Sequence, residues 1–252
     1  MSYYLYRFGS SQLLPTGQSV DGLGGDVPSD LIVTAGTPHF AYGGGTVPLG
    51  AHRIGHRGIY SASVESNINA YLALVGQRAS LWRYEESSGD IQWKTARLLS
   101  ARWDRDVEQS AHAEIVSEFG AVGYWKAENQ STTSRASTGS LTPTGSGKAS
   151  VCDAVITFTS ASTATQTIRF QDSAAGIDWQ WSGSMNNTEV LTIDCGAFSV
   201  LNNGANAYGG LTLNGAHASD YWCVIAPGSN TFTFTLTAGS GTFQIAWYDQ
   251  WV

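Results

Sequence analysis

The chain has 252 residues, 13 Lys and Arg against 20 Asp and Glu, a formal net charge of −7, and a charged fraction of only 13%, against about a quarter in ordinary soluble domains. That balance excludes a protein built to neutralise nucleic-acid phosphates, which needs a clustered excess of cations. The 29 glycines and the wealth of Ser and Thr point instead to turn-rich β architecture with a neutral, aromatic surface of the kind that interfaces use.

The first 60 residues have little periodicity and are punctuated by Gly22, Gly24, Gly25, Pro28, Pro38 and Gly43 to Gly45, so they read as an extended Gly-rich arm or as short strands joined by turns, with one strand expected at 30–34. From Ser61 the pattern changes. Val64, Ile68, Tyr71, Leu72 and Val75 share one face of an amphipathic helix over about 62–76, and Gly76 stops it. A strand at 79–84, a polar turn at 85–90, a long strand at 91–103, a second turn at 104–110 and an alternating strand at 112–119 make a three-stranded meander. Arg97, Arg102 and Arg105 interleave with Asp104, Asp106 and Glu108, which reads as local ion pairing.

Residues 129–148 are small and polar with almost nothing to bury, and read as an interdomain connection. The expected division is 1–140 and 141–252. Beyond it, runs at 150–159, 163–171, 176–181, 188–194, 198–201, 221–226, 231–237 and 242–248 predict an antiparallel sandwich. Trp179, Trp181, Trp222, Phe232, Phe234, Phe243 and Trp247 supply its apolar bulk. Pro227-Gly228 fits a type II turn, and the two runs around Ala238 to Gly241 read as a closing β-hairpin. Cys152, Cys195 and Cys223 lack the spacing of a zinc site or a disulfide framework and read as small buried hydrophobes. No run of 18 apolar residues exists and residues 1–9 lack the regions of a signal peptide, so the expectation is a protein made in a cytoplasm, without membrane insertion.

Two segments and their order carry a resemblance to a known family. Arg57-Gly58-Ile59-Tyr60-Ser61 leads into the helix, then Gly76-Gln77-Arg78-Ala79-Ser80-Leu81-Trp82-Arg83 and Arg97 to Arg102 follow. Later come Glu189 to Gly196, Phe198 to Gly204, Trp222 and Pro227-Gly228-Ser229-Asn230. The chain resembles the distal tail proteins of long-tailed bacteriophages. That resemblance implies a mainly β fold, with an N-terminal small β-barrel carrying one packed α-helix and a C-terminal galectin-like antiparallel β-sandwich. It also implies a ring of six copies at the virion tail tip, assembled in the host bacterial cytoplasm. Its implied partners are the tail tube protein, the central tail hub protein and receptor-binding or side-fibre proteins, with DNA only passing through the lumen. The Gly-rich first 55 residues align with nothing familiar.

Catalytic and cofactor chemistry is not expected. His52 and His56 stand four apart, but Gly50, Gly55 and Gly58 argue against the helix that makes such spacing metal-binding. Gly145-Ser146-Gly147-Lys148 has Thr142 where a phosphate loop needs its first glycine and Ala149 where it needs Ser or Thr. Asp172, Asp178 and Asp194 read as turn formers rather than as a glycosidase pair. The surfaces expected to line a ring or its lumen are the turn bearing Glu85, Glu86 and Asp90 and the polar face of His112, Glu114 and Glu118. Trp179 and Trp181 share one strand face and are weighed both as core and as a docking or sugar platform, the latter keeping alive a lectin-like module or a polysaccharide-degrading tail protein.

Overall fold

The computed structural model describes residues 3–12, 52–60, 69–70, 72–85, 88–105, 113–121 and 123–251. They form two compact units that divide between Glu128 and Asn129. In chain order the strands of the first unit are β1 (Tyr3–Phe8), β2 (Ser11–Gln12), β3 (His52–Tyr60), β4 (Arg78–Glu85), β5 (Ile91–Arg105), β6 (Ala113–Ala121) and β7 (Trp125–Ala127). Those of the second are β8 (Ser131–Ala136), β9 (Gly139–Leu141), β10 (Thr144–Gly145), β11 (Val155–Ser160), β12 (Ala164–Asp172), β13 (Ile177–Met185), β14 (Val190–Asp194), β15 (Ser199–Asn202), β16 (Ala205–Asn206), β17 (Leu211–Leu213), β18 (Gly228–Ser229), β19 (Phe232–Ala238), β20 (Gly241–Trp247) and β21 (Gln250–Trp251).

The first unit is one antiparallel sheet in the order β2-β1-β4-β5-β6-β3, with β7 beside the start of β5. Alternation puts Leu5, Phe8, Leu81, Leu98, Phe119 and Trp125 on its buried face, where the Phe8 and Phe119 rings lie 5.2 Å apart. Two cations share that face. Arg83 donates from Nε to Gln92 Oε1 at 2.8 Å, and Arg83 and Lys94 lie 4.2 and 4.6 Å from the Trp125 ring, so their charge rests on an aromatic quadrupole.

The expected meander is present as β4, β5 and β6. Of the expected helix, Asn69, Ala70 and Leu72 are helical, the Ala73 N–H donates to the Asn69 carbonyl at 3.1 Å, and Gly76 ends the segment at φ +84°. Residues 61–68 lie outside the described residues, as does the strand expected at 30–34. The poorly periodic start of the chain supplies β1 and β3, the latter a nine-residue strand hidden by its glycines.

The strand β5 runs 15 residues, about 50 Å at the usual rise, and changes partner midway. Its first half pairs with β4 and its second half with β6, with a register shift between Leu98 and Ser100. Leu98 faces Phe119 and Ser100 faces Glu118, so Leu99 is the extra residue of a bulge and side-chain alternation inverts beyond it.

The second unit is a sandwich of two antiparallel sheets, β16-β15-β14-β11-β20-β8 and β17-β13-β12-β19-β9, with β10 and β18 as a separate pair. Every aromatic expected in its core is there. Phe170 meets Phe232 and Phe234 edge-on at 5.2 and 5.0 Å, and Phe234 meets Phe243 of the opposite sheet at 4.5 Å.

Three expectations are corrected here. The polar run after Glu128 is no connection: β8 pairs along β20 and β9 along β19, because an edge strand needs backbone partners more than buried side chains. The closing runs are not a hairpin: β19 pairs with β12 and β9, and β20 with β11 and β8. Alternation fixes which face of a strand is buried, not which neighbour it takes, and both runs satisfy the pattern by facing each other across the core. Residues 221–226 form no regular strand; Ile225 alone bridges to Val151.

The turn at Gly239 is thus an arch from sheet to sheet, and the connections β8 to β9, β11 to β12 and β13 to β14 are arches at the same end. They are tied by Ala161 N–H to the Ser240 carbonyl at 2.8 Å, Ser137 N–H to the Gly241 carbonyl at 3.1 Å and Thr188 N–H to the Ser160 carbonyl at 2.9 Å.

Candidate assembly surfaces

The outer face of the first sheet is organised in rows across strands. Arg7, Trp82, Trp93 and Lys126 stand opposite one another on β1, β4, β5 and β7. The Arg7 guanidinium lies 3.9 Å from the Trp82 centroid, Trp82 and Trp93 are 6.1 Å apart, and the Lys126 ammonium is 5.7 Å from Trp93, an alternation of cations and aromatic faces. One end of this face also carries Tyr84, 38% exposed.

A second row joins Arg78 on β4, Arg97 on β5, Gly120 on β6 and Arg53 on β3. Gly120 leaves space that Leu99 fills: a Cβ there would come within 3.1 Å of Leu99 Cδ1. Arg97 donates from Nε to the Gly76 carbonyl at 2.8 Å, tying the strand to the end of the helical turn. Past the bulge, the register sets Asp104 opposite Glu114 and Glu114 opposite Ile59. Arg102 and Arg57 flank Val116 one row back.

The expected ring and lumen residues divide between two places. Glu85 ends β4, Asp90 is exposed with its N–H donating to Ser88 Oγ at 3.2 Å, and Glu86 and His112 lie outside the described residues. Glu114 and Glu118 are on β6, opposite Asp104 and Ser100, far along β5 from the turn before Ile91. Sequence reasoning missed the arginine row. Arg78 and Arg97 come together only through the β4–β5 register, and Arg97 was grouped with Arg102 and Arg105 because it is near them in sequence.

Beyond Leu98 the side of β5 away from β6 has no strand partner among the described residues, nor has the side of β3 away from β6. Among the described residues, β5, β6 and β3 therefore form a three-stranded ribbon whose two outer edges lack a strand partner.

In the sandwich, the platform of Trp179 and Trp181 is overturned. They are 0% and 2% exposed, and their indole N–H groups donate to the carbonyls of Trp222 at 2.8 Å and Ala207 at 3.0 Å. An aromatic with one polar atom is satisfied inside when that atom meets a carbonyl. The aromatic that does reach solvent is Tyr208, 50% exposed, beside the Trp222 ring at 5.9 Å.

The three aspartates are structural. Asp172 Oδ1 accepts from the N–H groups of Ala174 and Ala175 at 3.0 and 3.2 Å, and burial raises its carboxyl above the usual range. Asp194 Oδ1 accepts from Gly196 and Ala197 at 3.0 and 2.9 Å. Both fit turn formers, whereas Asp178 is different: it lies inside β13. It accepts two hydrogen bonds from Arg169, one from Gln171 and one from Asn214, and its own N–H donates to His217 Nδ1 at 3.0 Å. The Arg169 hydrogen bonds above all hold its carboxyl at about 2. With every acceptor position engaged, it latches residues 214–217 onto the sheet and has no geometry for proton transfer.

All three cysteines are free thiols in the interior. Burial pushes Cys152 up to about 12, and a hydrogen bond with Cys195, then burial, pushes Cys223 well above its ordinary value. His52 and His56 lie in an extended strand, where four residues span about 13 Å. Among the described residues no group of three or more His, Cys, Asp or Glu is placed to hold a metal ion. Lys148 follows a loop whose Gly147 would place a Cβ against the Gln250 backbone, which packs that loop against protein rather than around a phosphate.

Residues 149–251 match the family model described as siphovirus-type tail component, C-terminal domain. No curated protein matches the chain. Among solved structures, the chain is similar to the SPP1 Dit (gp 19.1) protein, described as a paradigm of hub adsorption apparatus in Gram-positive infecting phages, at 12% identity and a TM-score of 0.60, covering 98% of each chain. A chain of the phage P2 baseplate in its activated conformation matches at 10% identity, covering 99% of this chain and 92% of that one, with a TM-score of 0.40, too low to argue from.

Proposed function

We propose that this chain, whose residues 149–251 match the model of the siphovirus-type tail component and which shares its fold with the SPP1 Dit protein, is a structural protein of the phage tail tip whose copies close into a ring, six in number. The ring joins the tail tube to the distal hub and leaves a lumen for DNA. The observation that carries the ring is the ribbon of β5, β6 and β3. Its two edges, without a strand partner among the described residues, are different surfaces on one subunit, and a heterologous contact between two different surfaces is what a closed cyclic assembly requires. The sandwich offers a second surface, for proteins that reach the receptor.

An enzyme reading finds no support in the side chains, since the carboxylates considered for hydrolysis are each spent on local hydrogen bonds. A sugar platform at Trp179 and Trp181 is removed by their burial.

Native mass spectrometry with negative-stain imaging of the purified chain tests the ring. Six copies of 26.8 kDa, roughly 160 kDa, with a central hole are expected. A chain that stays monomeric both alone and with its tube and hub proteins refutes the ring.

A further inference from the structure

Three of the four strands that edge the sandwich are short: β16 spans two residues, and β17 and β9 span three each. Short edge strands are one way in which folded sheets avoid pairing with other chains. The fourth, β8, runs six residues beside β20 without a register shift, from Ser131 opposite Trp247 to Ala136 opposite Thr242. The direction of its backbone groups follows from one bond. The Ser137 N–H donates to the Gly241 carbonyl at 3.1 Å, and because bonded pairs alternate along an antiparallel ladder, Ser131, Thr133 and Arg135 turn their N–H and C=O groups to β20. Thr132, Ser134 and Ala136 turn theirs away from it, and among the described residues no strand meets them. All three are exposed.

One charge stands on this edge. Arg135 lies opposite the buried Phe243, hence on the inward side of β8, but at the rim of the sandwich, where it is exposed. The turn to β9 holds it there. Its Nε donates to the Thr138 carbonyl at 3.3 Å and its Nη1 to the Ser140 carbonyl at 3.2 Å, and Gly139 leaves the room, since a Cβ at that position would collide with the guanidinium. Among the described residues no carboxylate pairs with it. A charge on the inward side of an edge strand deters indiscriminate pairing, so any strand added here has to answer it.

We propose that the β8 edge is a docking site for an extended segment of a neighbouring tail-tip protein, which adds antiparallel to β8 as a seventh strand of its six-stranded sheet and sets an Asp or Glu opposite Arg135. This rests on the tail-tip reading above and names the contact by which the sandwich holds a partner. The outward backbone groups of Thr132, Ser134 and Ala136 supply the ladder bonds, and Arg135 selects the segment by its charge. Side chains directly opposed across an antiparallel pair stand about 4.5–5.5 Å apart at Cβ, within reach of an ion pair. A second copy is the poorer occupant, because β8 paired with itself about Ser134 would set the two Arg135 side chains on one diagonal, about 7–8 Å apart and of like charge.

The test is residue-resolved amide exchange on the purified chain and on the chain in assembled tail tips. In the free chain the amides of Thr132, Ser134 and Ala136 are expected to exchange fast beside slow Thr133 and Arg135, and in the tips those three should slow by at least about tenfold. Ser134→Pro removes an outward N–H and no bond to β20. It should keep the melting temperature within a few degrees and the wild-type native mass, while Thr132 and Ala136 stay fast in tips built with it. Arg135→Glu should have the same effect, and Arg135→Lys should keep the protection. Equal exchange in the free chain and in the tips, or protection that survives either Ser134→Pro or Arg135→Glu, overturns the docking while the tail-tip reading stands. Protection in the free chain that grows with its concentration assigns the edge to a second copy and overturns the partner. Tips that lack the wild-type chain overturn the docking together with the reading beneath it.

Discussion

The indole of Trp179 donates to the backbone carbonyl of Trp222 at 2.8 Å, joining the middle of β13 to a stretch of chain that has no strand ladder of its own. Trp179→Phe removes the donor and leaves a buried carbonyl unpaired, which costs roughly 1–3 kcal/mol. Trp179→Ala adds a cavity and should cost about 3–5 kcal/mol. Both are read as a fall in the urea midpoint. A glycan array should show no binding that disappears with either variant while the fold remains intact.

Asp178 gives the sandwich a pH dependence. Its folded pKa is depressed to about 2 against an ordinary value near 3.9. Its contribution is therefore complete above the ordinary value and is lost as pH falls from about 4 toward 2. Asp178→Asn should flatten thermal stability over that window and lower it at pH 7 by roughly 1–3 kcal/mol, the worth of hydrogen bonds to a charged group. An unchanged acid limb in the variant would refute the assignment.

Asp172 has the opposite sign. Burial raises its pKa, so ionising it costs the folded state, while its two acceptor contacts from Ala174 and Ala175 are ones that an amide oxygen also accepts. Asp172→Asn is expected to hold or raise the melting temperature at pH 7. A loss comparable to that of Asp178→Asn would contradict the sign.

Backbone conformation at the arched end separates two positions. Gly239 has φ +89°, and a Cβ there would collide with the Gln166 side-chain amide, so Gly239→Ala should destabilise by about 1–3 kcal/mol. Thr188 holds φ +69° with a β-branched side chain, a genuine outlier. Thr188→Gly should stabilise by up to about 1 kcal/mol. Chemical denaturation of both variants checks the two signs.

The thiols should be silent. Cys152 and Cys223, buried and with raised pKa values, should resist a thiol reagent at pH 8 until the chain unfolds, because the thiolate is the reacting form. Rapid labelling of either in the native protein would show that the segment opens locally.

Where a residue's face is set by alternation, the sequence was a sufficient guide. Phe232, Phe234, Phe243 and Trp247 fell in the core as expected, and Gly76 and Gly228, at φ +84° and +93°, mark turns that composition alone announces. Partner choice was not legible. The run Ser131 to Ala136 has no apolar periodicity, and its place beside β20 rests on backbone hydrogen bonds. The arginine row depends on the register of three strand pairs, which leaves no trace in a single sequence. Trp179 and Trp181 were placed on one face correctly, but which face was buried depended on their two carbonyl acceptors, one of them 43 residues away.

The arches also constrain the order of events during synthesis. The strand β20 is interior, between β11 and β8, and Ser131 finds its partner in Trp247. Until Gly241 to Trp247 leaves the ribosome, β8 has nothing to lie against and β11 lacks one neighbour. Because the chain passes from sheet to sheet at every arch, neither sheet is a separate nucleus, and contacts of such long sequence separation are won slowly. The sandwich should therefore fold late and all at once, leaving few of its own half-formed edges exposed once the chain is released.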